Sequence, residues 1–167
     1  MKKELIEFLR CPISKQKLIL QVGIEIDSNI ESGWLVSEDT RFKYPITSGI
    51  PRFVDHLNYA NNFGMQWNKF RKTQLDSFSG HPISADRFWS STKWSKDSLR
   101  GKWVLDAGCG AGRFAEIALR AGAKVIAIDY SSACDACYLN LRDYENFHVV
   151  QADIYSLPFK EGLFPFV

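Results

Sequence analysis

No apolar run among the 167 residues approaches the roughly 20 that a membrane-spanning helix needs, and Met1-Lys2-Lys3-Glu4 opens a short amphipathic segment in place of a signal-peptide core. This reads as a soluble, cytoplasmic protein. Charge of one sign is also scarce: 21 Lys and Arg against 19 Asp and Glu leave +2, and with no basic block or basic-aromatic stripe nothing marks a nucleic-acid surface. Cysteine, at positions 11, 109, 134 and 137 only, is too sparse for a disulfide framework. What the chain does have is hydrophobic content of 46%. That is enough for one medium domain, or for a small domain joined to part of a larger one.

Residues 1–55 read as a small α+β module. Leu5, Ile6, Phe8 and Leu9 fall at helical spacing over residues 2–9, and Cys11-Pro12 stops that helix. Strand-like pieces follow at 17–22, 33–36 and 41–46, and the region closes with residues 48–54. A core of this size is marginal alone, so a neighbour or a metal is often recruited. The run Leu9-Arg10-Cys11-Pro12, a hairpin, Tyr44-Pro45-Ile46 and Gly49-Ile50-Pro51 resembles the zinc-ribbon-like domain known as an activator subunit of tRNA and protein methyltransferases. Metal-binding members carry a second cysteine where Ser14 stands here, and no cysteine follows before 109. A tetrahedral site therefore lacks its ligands, and no metal is expected. His56 and His81 read as surface or core residues.

Residues 56–100 turn aromatic and polar and read as a helical linker. Phe63, Trp67 and Phe70 fall at i, i+4 and i+7 behind a cap at Asn61-Asn62, and Ser84 is placed to cap a second short helix. Two readings stay open: the aromatics anchor the linker to the main domain, or they form a lid over a cofactor and part of a substrate pocket.

Residues 101–167 alternate between strand and helix. Trp103-Val104-Leu105-Asp106 is an apolar run ending in a carboxylate, then come Gly108, Gly110 and Gly112, then the helical pattern Phe114, Ala115, Ile117, Ala118. Glycine admits positive φ and removes the Cβ from a ligand's path, while the helix offers unpaired N–H groups, so such a junction binds nucleotides. Gly122 ends the helix. A second buried strand at 124–129 ends in Asp129, Tyr130-Ser131-Ser132 caps another helix, and a third strand at 147–153 ends in Asp153. Cys134 and Cys137 share one helical face with residues 133, 138 and 141, which reads as buried small side chains and not as a redox or zinc pair. The alternation implies a parallel sheet covered on both faces, half of a doubly wound α/β fold.

In such sheets ligands lie across the carboxyl ends of the strands, here marked by Asp106, Asp129 and Asp153. Asp129 falls 21 residues beyond Gly108, placed to accept ribose hydroxyls, and Asp153 with Ile154 is placed to read an adenine. A dinucleotide fingerprint wants glycine at 113, where this chain has arginine. The spacing Asp106-x-Gly108-x-Gly110-x-Gly112 instead resembles class I S-adenosylmethionine-dependent methyltransferases, and Leu157-Pro158-Phe159 is similar to a segment of the branch that acts on many small molecules. The Phe63-Gly64-x-Gln66-Trp67 run and Arg87-Phe88 resemble a subgroup of the same family. That resemblance implies a Rossmann-like sheet and S-adenosyl-L-methionine as cofactor. It implies that Asp106 and the backbone of Gly108, Cys109, Gly110 and Gly112 hold the methionine moiety. Asp129 with Tyr130 would hold the ribose, Asp153 with Ile154 the adenine, and Arg87 the cofactor carboxylate. No residue reads as a catalytic base. Methyl transfer from a sulfonium needs mainly positioning and exclusion of water, and His148, inside the third strand, reads as structural.

The family's fourth strand begins F-D-x-V. Here the residues are Phe164-Pro165-Phe166-Val167, and proline lacks the N–H a central strand donates. The resemblance thus covers the activator-like domain and about half of a catalytic domain, with strands in the order 3-2-1-4 and an apolar edge open to self-association. Two functions follow: a methyltransferase, or a fragment of one, acting on a small-molecule acceptor; or a non-catalytic cofactor- or partner-binding module derived from one.

Overall fold

The computed structural model describes residues 1–55 and 61–167, with no side chains for 61–63. His56 and the side chains of Asn61, Asn62 and Phe63 therefore lie outside the described residues.

The N-terminal part is an antiparallel sheet in the order β1-β2-β3-β4, formed by β1 (Leu18–Ile26), β2 (Asn29–Ser37), β3 (Lys43–Thr47) and β4 (Ile50–Pro51). The β1–β2 hairpin is longer than the alternation predicts. Asp27 and Ser28 both take positive φ (47° and 64°), which gives the two-residue turn that matches strand twist. Register shifts between Val22 and Glu25 carry β1 past Gly23. The helix expected over 2–9 is only a 3-10 turn, Lys3–Glu7. The backbone on either side is drawn into pairing, Lys2 with Asn29, Leu9 with Phe159 and Arg10 with Lys17, which leaves room for a single tight turn.

Among the described residues of the linker there are four helices where two were expected: α1 (Asn61–Lys69), α2 (Asp76–Ser79), α3 (Ile83–Thr92) and α4 (Lys96–Leu99). Ser84 does not cap α3. It is buried inside the first turn, and the cap comes from Asp76, whose two oxygens accept the Ser84 and Ala85 N–H groups at 2.9 and 2.8 Å. The proposed aromatic stripe also divides, since Trp67 packs inward while Phe70 is exposed.

The second sheet is parallel, in the order β5-β6-β7, formed by β5 (Trp103–Ala107), β6 (Lys124–Asp129) and β7 (Phe147–Gln151), with α5 (Arg113–Arg120) and α6 (Ala133–Leu141) as the crossovers. Side chains alternate along each strand, so the sheet has two buried faces. Val104, Val125, Ala127, Phe147 and Val149 share a core with Ala115, Ala118, Cys134, Cys137 and Leu141 of the helices. Leu105, Ile126, Ile128 and Val150 share another with Leu5, Leu9, Leu35 and Ile46 of the N-terminal part. One layer is therefore helical, and the antiparallel sheet supplies the other. Main-chain bonds stitch the two together: Phe53 N–H to the Gln151 carbonyl at 2.8 Å, Arg10 N–H to the Pro158 carbonyl at 2.8 Å and Lys160 N–H to the Phe8 carbonyl at 3.0 Å.

A fourth strand does not form among the described residues. Beside β5 there is one parallel bridge, Val104 with Phe166, and one bond, from Leu105 N–H to the Phe166 carbonyl at 3.0 Å. Pro165 cannot donate to such a ladder, so pairing stops at one residue.

Candidate functional site

The turn between β5 and α5 is built on three left-handed glycines, Gly108, Gly110 and Gly112, at φ 81°, 52° and 91°. Each has a different neighbour. Beside Gly108 a Cβ would meet nothing within 4 Å; at Gly110 it would lie 3.3 Å from the Trp67 ring; at Gly112 it would come within 2.7 Å of Leu141 and 2.8 Å of the Cys137 sulfur. Gly112 thus lets α5 begin against α6, Gly110 accepts the aromatic of α1, and Gly108 leaves its flank open. The turn is fastened from below, where the Gly108 and Cys109 N–H groups both donate to the Ile128 carbonyl, at 2.8 and 2.9 Å.

The acids divide their work. Asp106 accepts the Ala115 N–H of α5 at 3.1 Å, and burial pushes its carboxyl up to about 6, the Ala115 bond opposing and Asp129 reinforcing. Asp129 accepts the Gly110 N–H on Oδ2 at 3.0 Å, and the Ser131 N–H and hydroxyl on Oδ1 at 2.9 and 2.8 Å. Ser131, not Ser132, supports the start of α6, its hydroxyl accepting the Ala133 N–H at 3.2 Å. The Ala152 N–H donates to the Asp129 carbonyl at 3.0 Å, so Asp153 stands at the neighbouring strand end, its Oδ1 accepting the Tyr155 N–H at 2.9 Å. Ile154 and Tyr155 beside it are exposed, and the Tyr130 carbonyl is held by the Gln151 side chain at 3.0 Å.

Arg87 lies elsewhere. It lines an open cavity of about 330 Å3 with Asp106, Ala107, Phe88, Trp94 and Phe114, on the β5 side of the turn and away from Asp129 and Asp153. The clamp that seats α1 is carried by contacts between distant residues that no periodicity marks. Gly64 lies so close to Ser132 that a Cβ would overlap it, Asn68 donates to the Ser132 carbonyl at 3.0 Å, and Asn140 donates to the Arg71 and Ala111 carbonyls, both at 2.9 Å. The glycine at 64 was the available signal for such a close approach.

Cys134 and Cys137 are fully buried and Cys109 nearly so, and their thiols are held above the ordinary range; burial is the leading cause for Cys134 and Cys137, and for Cys109 the neighbouring Cys134 lowers the pKa but Cys137 and burial together prevail. Cys11 differs. Burial opposes its ionisation, but bonds with Ser14 and with the Tyr44 hydroxyl at 3.2 Å prevail and lower its pKa. Among the described residues no group of three or more His, Cys, Asp or Glu could hold a metal ion, and no helix is long and apolar enough to cross a membrane.

Two family matches coincide with these two parts. Residues 104–167 match the methyltransferase domain family, and residues 2–49 match the Trm112p-like protein family. No curated protein matches the chain. Among solved structures it is similar to a putative S-adenosyl-L-methionine-dependent methyltransferase from Methanococcus maripaludis (16% identity, 66% of this chain and 50% of that one, TM-score 0.48). It is also similar to a putative RNA methyltransferase from Pyrococcus horikoshii (28%, 45% and 38%, TM-score 0.39). A third is a TehB-like methyltransferase from Corynebacterium glutamicum (23%, 57% and 45%, TM-score 0.36). The chain spans half or less of each of these proteins.

Proposed function

We propose that the chain is an S-adenosyl-L-methionine-dependent methyltransferase, or the cofactor-holding segment of one, with a small-molecule acceptor. The observation that carries this reading is the open flank of Gly108, set between Asp106 and Asp129 in the segment that matches the methyltransferase domain. The residues fit the cofactor. When bound, it supplies an electrophilic methyl group already activated by its sulfonium. The backbone of Gly108, Cys109, Gly110 and Gly112 would hold the methionine moiety together with Asp106, and Arg87, which lines the same cavity as Asp106, would hold the carboxylate. A carboxylate offers about four acceptor positions, and Asp129 has three filled. At most one further acceptor position would then be left on Asp129 for a ribose hydroxyl. Asp153 and Ile154 take the adenine, with Tyr130 beside the ribose. Trp67 over Gly110 supports the lid reading of α1. In this reading residues 1–55, 56–100 and 101–167 serve as covering module, lid and cofactor half-domain, and the exposed Val167 edge is where a second copy would add.

Titration calorimetry with S-adenosyl-L-methionine tests the assignment. Binding is expected, and Asp129→Ala is expected to abolish it; full affinity in that variant would remove Asp129 from the site. A second reading, a cofactor- or partner-binding module without catalysis, is favoured by the Trm112p-like match over residues 2–49. It predicts cofactor binding without methyl transfer to any acceptor.

A further inference from the structure

A crevice of about 510 Å3 opens between α2, α3, α4 and the C-terminal end of α5, and none of the residues assigned to the cofactor lines it. It lies one helix length from the glycine turn, about 12 Å along the eight residues of α5. Buried Ile117 gives it an apolar floor, half-buried Trp89 an aromatic wall, and exposed Lys96, Arg120 and His81 a basic rim.

Among the described residues neither the Lys96 nor the Arg120 side chain makes a hydrogen bond or an ion pair. Arg41, Arg52 and Arg71, by contrast, are each tied to a carboxylate or a side-chain amide. The one acid in the lining, Asp76, has both oxygens turned to the Ser84 and Ala85 N–H groups, so its charge is met by the first turn of α3. Lys96, and Arg120 whose charge also acts on Asp76, therefore face a cavity that also presents an indole, in a volume typical of small-ligand sites.

We propose that this crevice binds a nucleoside monophosphate, its base against Trp89 and its phosphate held by Arg120 and Lys96. A planar guanidinium and a mobile ammonium together suit a doubly charged phosphate, and an indole face stacks any base. Such a site is separate from the cofactor cradle and is a place for an effector or for part of a nucleotide-bearing acceptor.

Calorimetry of the full chain with adenosine monophosphate decides it. The expected result is saturable binding, with adenosine alone and inorganic phosphate alone each at least tenfold weaker. Arg120→Gln and Lys96→Gln each weaken the nucleotide about tenfold at an unchanged melting midpoint, because both side chains are exposed. Asp129→Ala leaves it unaltered. Loss of binding in Asp129→Ala with retention in Arg120→Gln would assign the nucleotide to the glycine turn and overturn the proposal. Equal affinity for phosphate alone, meaning an adventitious ion only, would do the same, as would no saturable binding. Failure of S-adenosyl-L-methionine to bind, with the monophosphate pattern intact, would overturn the methyltransferase reading and leave this one standing.

Discussion

The two faces of the parallel sheet are buried to the same degree by different means. On one face β5, β6 and β7 lie under α5 and α6, which the same stretch of chain supplies between the strands. On the other, Leu105, Ile126, Ile128 and Val150 share a core chiefly with side chains from the first 46 residues, joined by Phe159. Local connections make the first layer, and closure over roughly a hundred residues makes the second. The contrast shows how a module too small for a core of its own and a sheet with one open face complete each other.

The largest expected effect tests whether these layers are one cooperative unit. Leu35 on the module side and Leu141 on the helix side are both fully buried. Truncating either to alanine should cost about 2–5 kcal/mol, by loss of transfer energy and the cavity left behind. Denaturant unfolding followed by tryptophan fluorescence and by far-ultraviolet circular dichroism should show one coincident transition for both variants. Two transitions, with Leu35→Ala shifting only one, would mean that the module is merely docked.

The glycine turn sharpens the same contrast between packing and exposure within four residues. At Gly112 a methyl group would meet Leu141 and Cys137 below 3 Å in addition to the left-handed φ, whereas at Gly108 only the φ opposes it. Gly112→Ala should therefore cost about 2–4 kcal/mol, and Gly108→Ala about 1–2 kcal/mol. Calorimetry with the cofactor should rank them differently: Gly108→Ala retains the fold but loses binding. Equal destabilisation by the two would deny that Gly112 is a packing glycine.

Much of the helix-covered half was legible because its signals are local. Apolar runs ending in Asp106 and Asp129, the alternate glycines and Gly122 specify strand, turn and helix within a few residues of themselves. The other layer was not legible, since no periodicity in Leu5, Leu35 or Ile46 says which distant strand they will cover. The same reason hid the Asp76 cap, eight residues ahead of Ser84, and shortened the first helix, which loses its ends to pairing with Asn29 and Phe159. Of the site residues, Asp129 ends β6, whereas β7 ends at Gln151 and not at 153, so that Asp153 lies just past it, and Arg87 belongs to a different wall, with Asp106.

The smallest expected effect again sets the two faces against each other, through pH. His148 points to the module side with 2% of its side chain exposed, its Nε2 3.3 Å from Glu4 without hydrogen-bond geometry. Burial, helped by Lys2 and the N-terminal ammonium, lowers its pKa from 6.5 to about 4. The unfolded chain then binds the proton more readily, so this group's contribution rises with pH from about 4 to 6.5 and is lost on acidification. Asp106, on the turn, is raised from 3.8 to about 6; here the folded chain binds the proton more readily, and stability falls as pH rises across that interval. The slopes oppose each other over nearly the same window, each worth about 1–3 kcal/mol before the discount for the partly exposed Asp106. Relative to the parent chain, Asp106→Asn should gain stability on going from pH 4 to pH 7, and His148→Phe should lose the acid-side penalty and gain at pH 4. Urea midpoints at the two pH values read both differences. If the two variants shift in the same direction at pH 7 relative to pH 4, the assignment of one proton to each face fails.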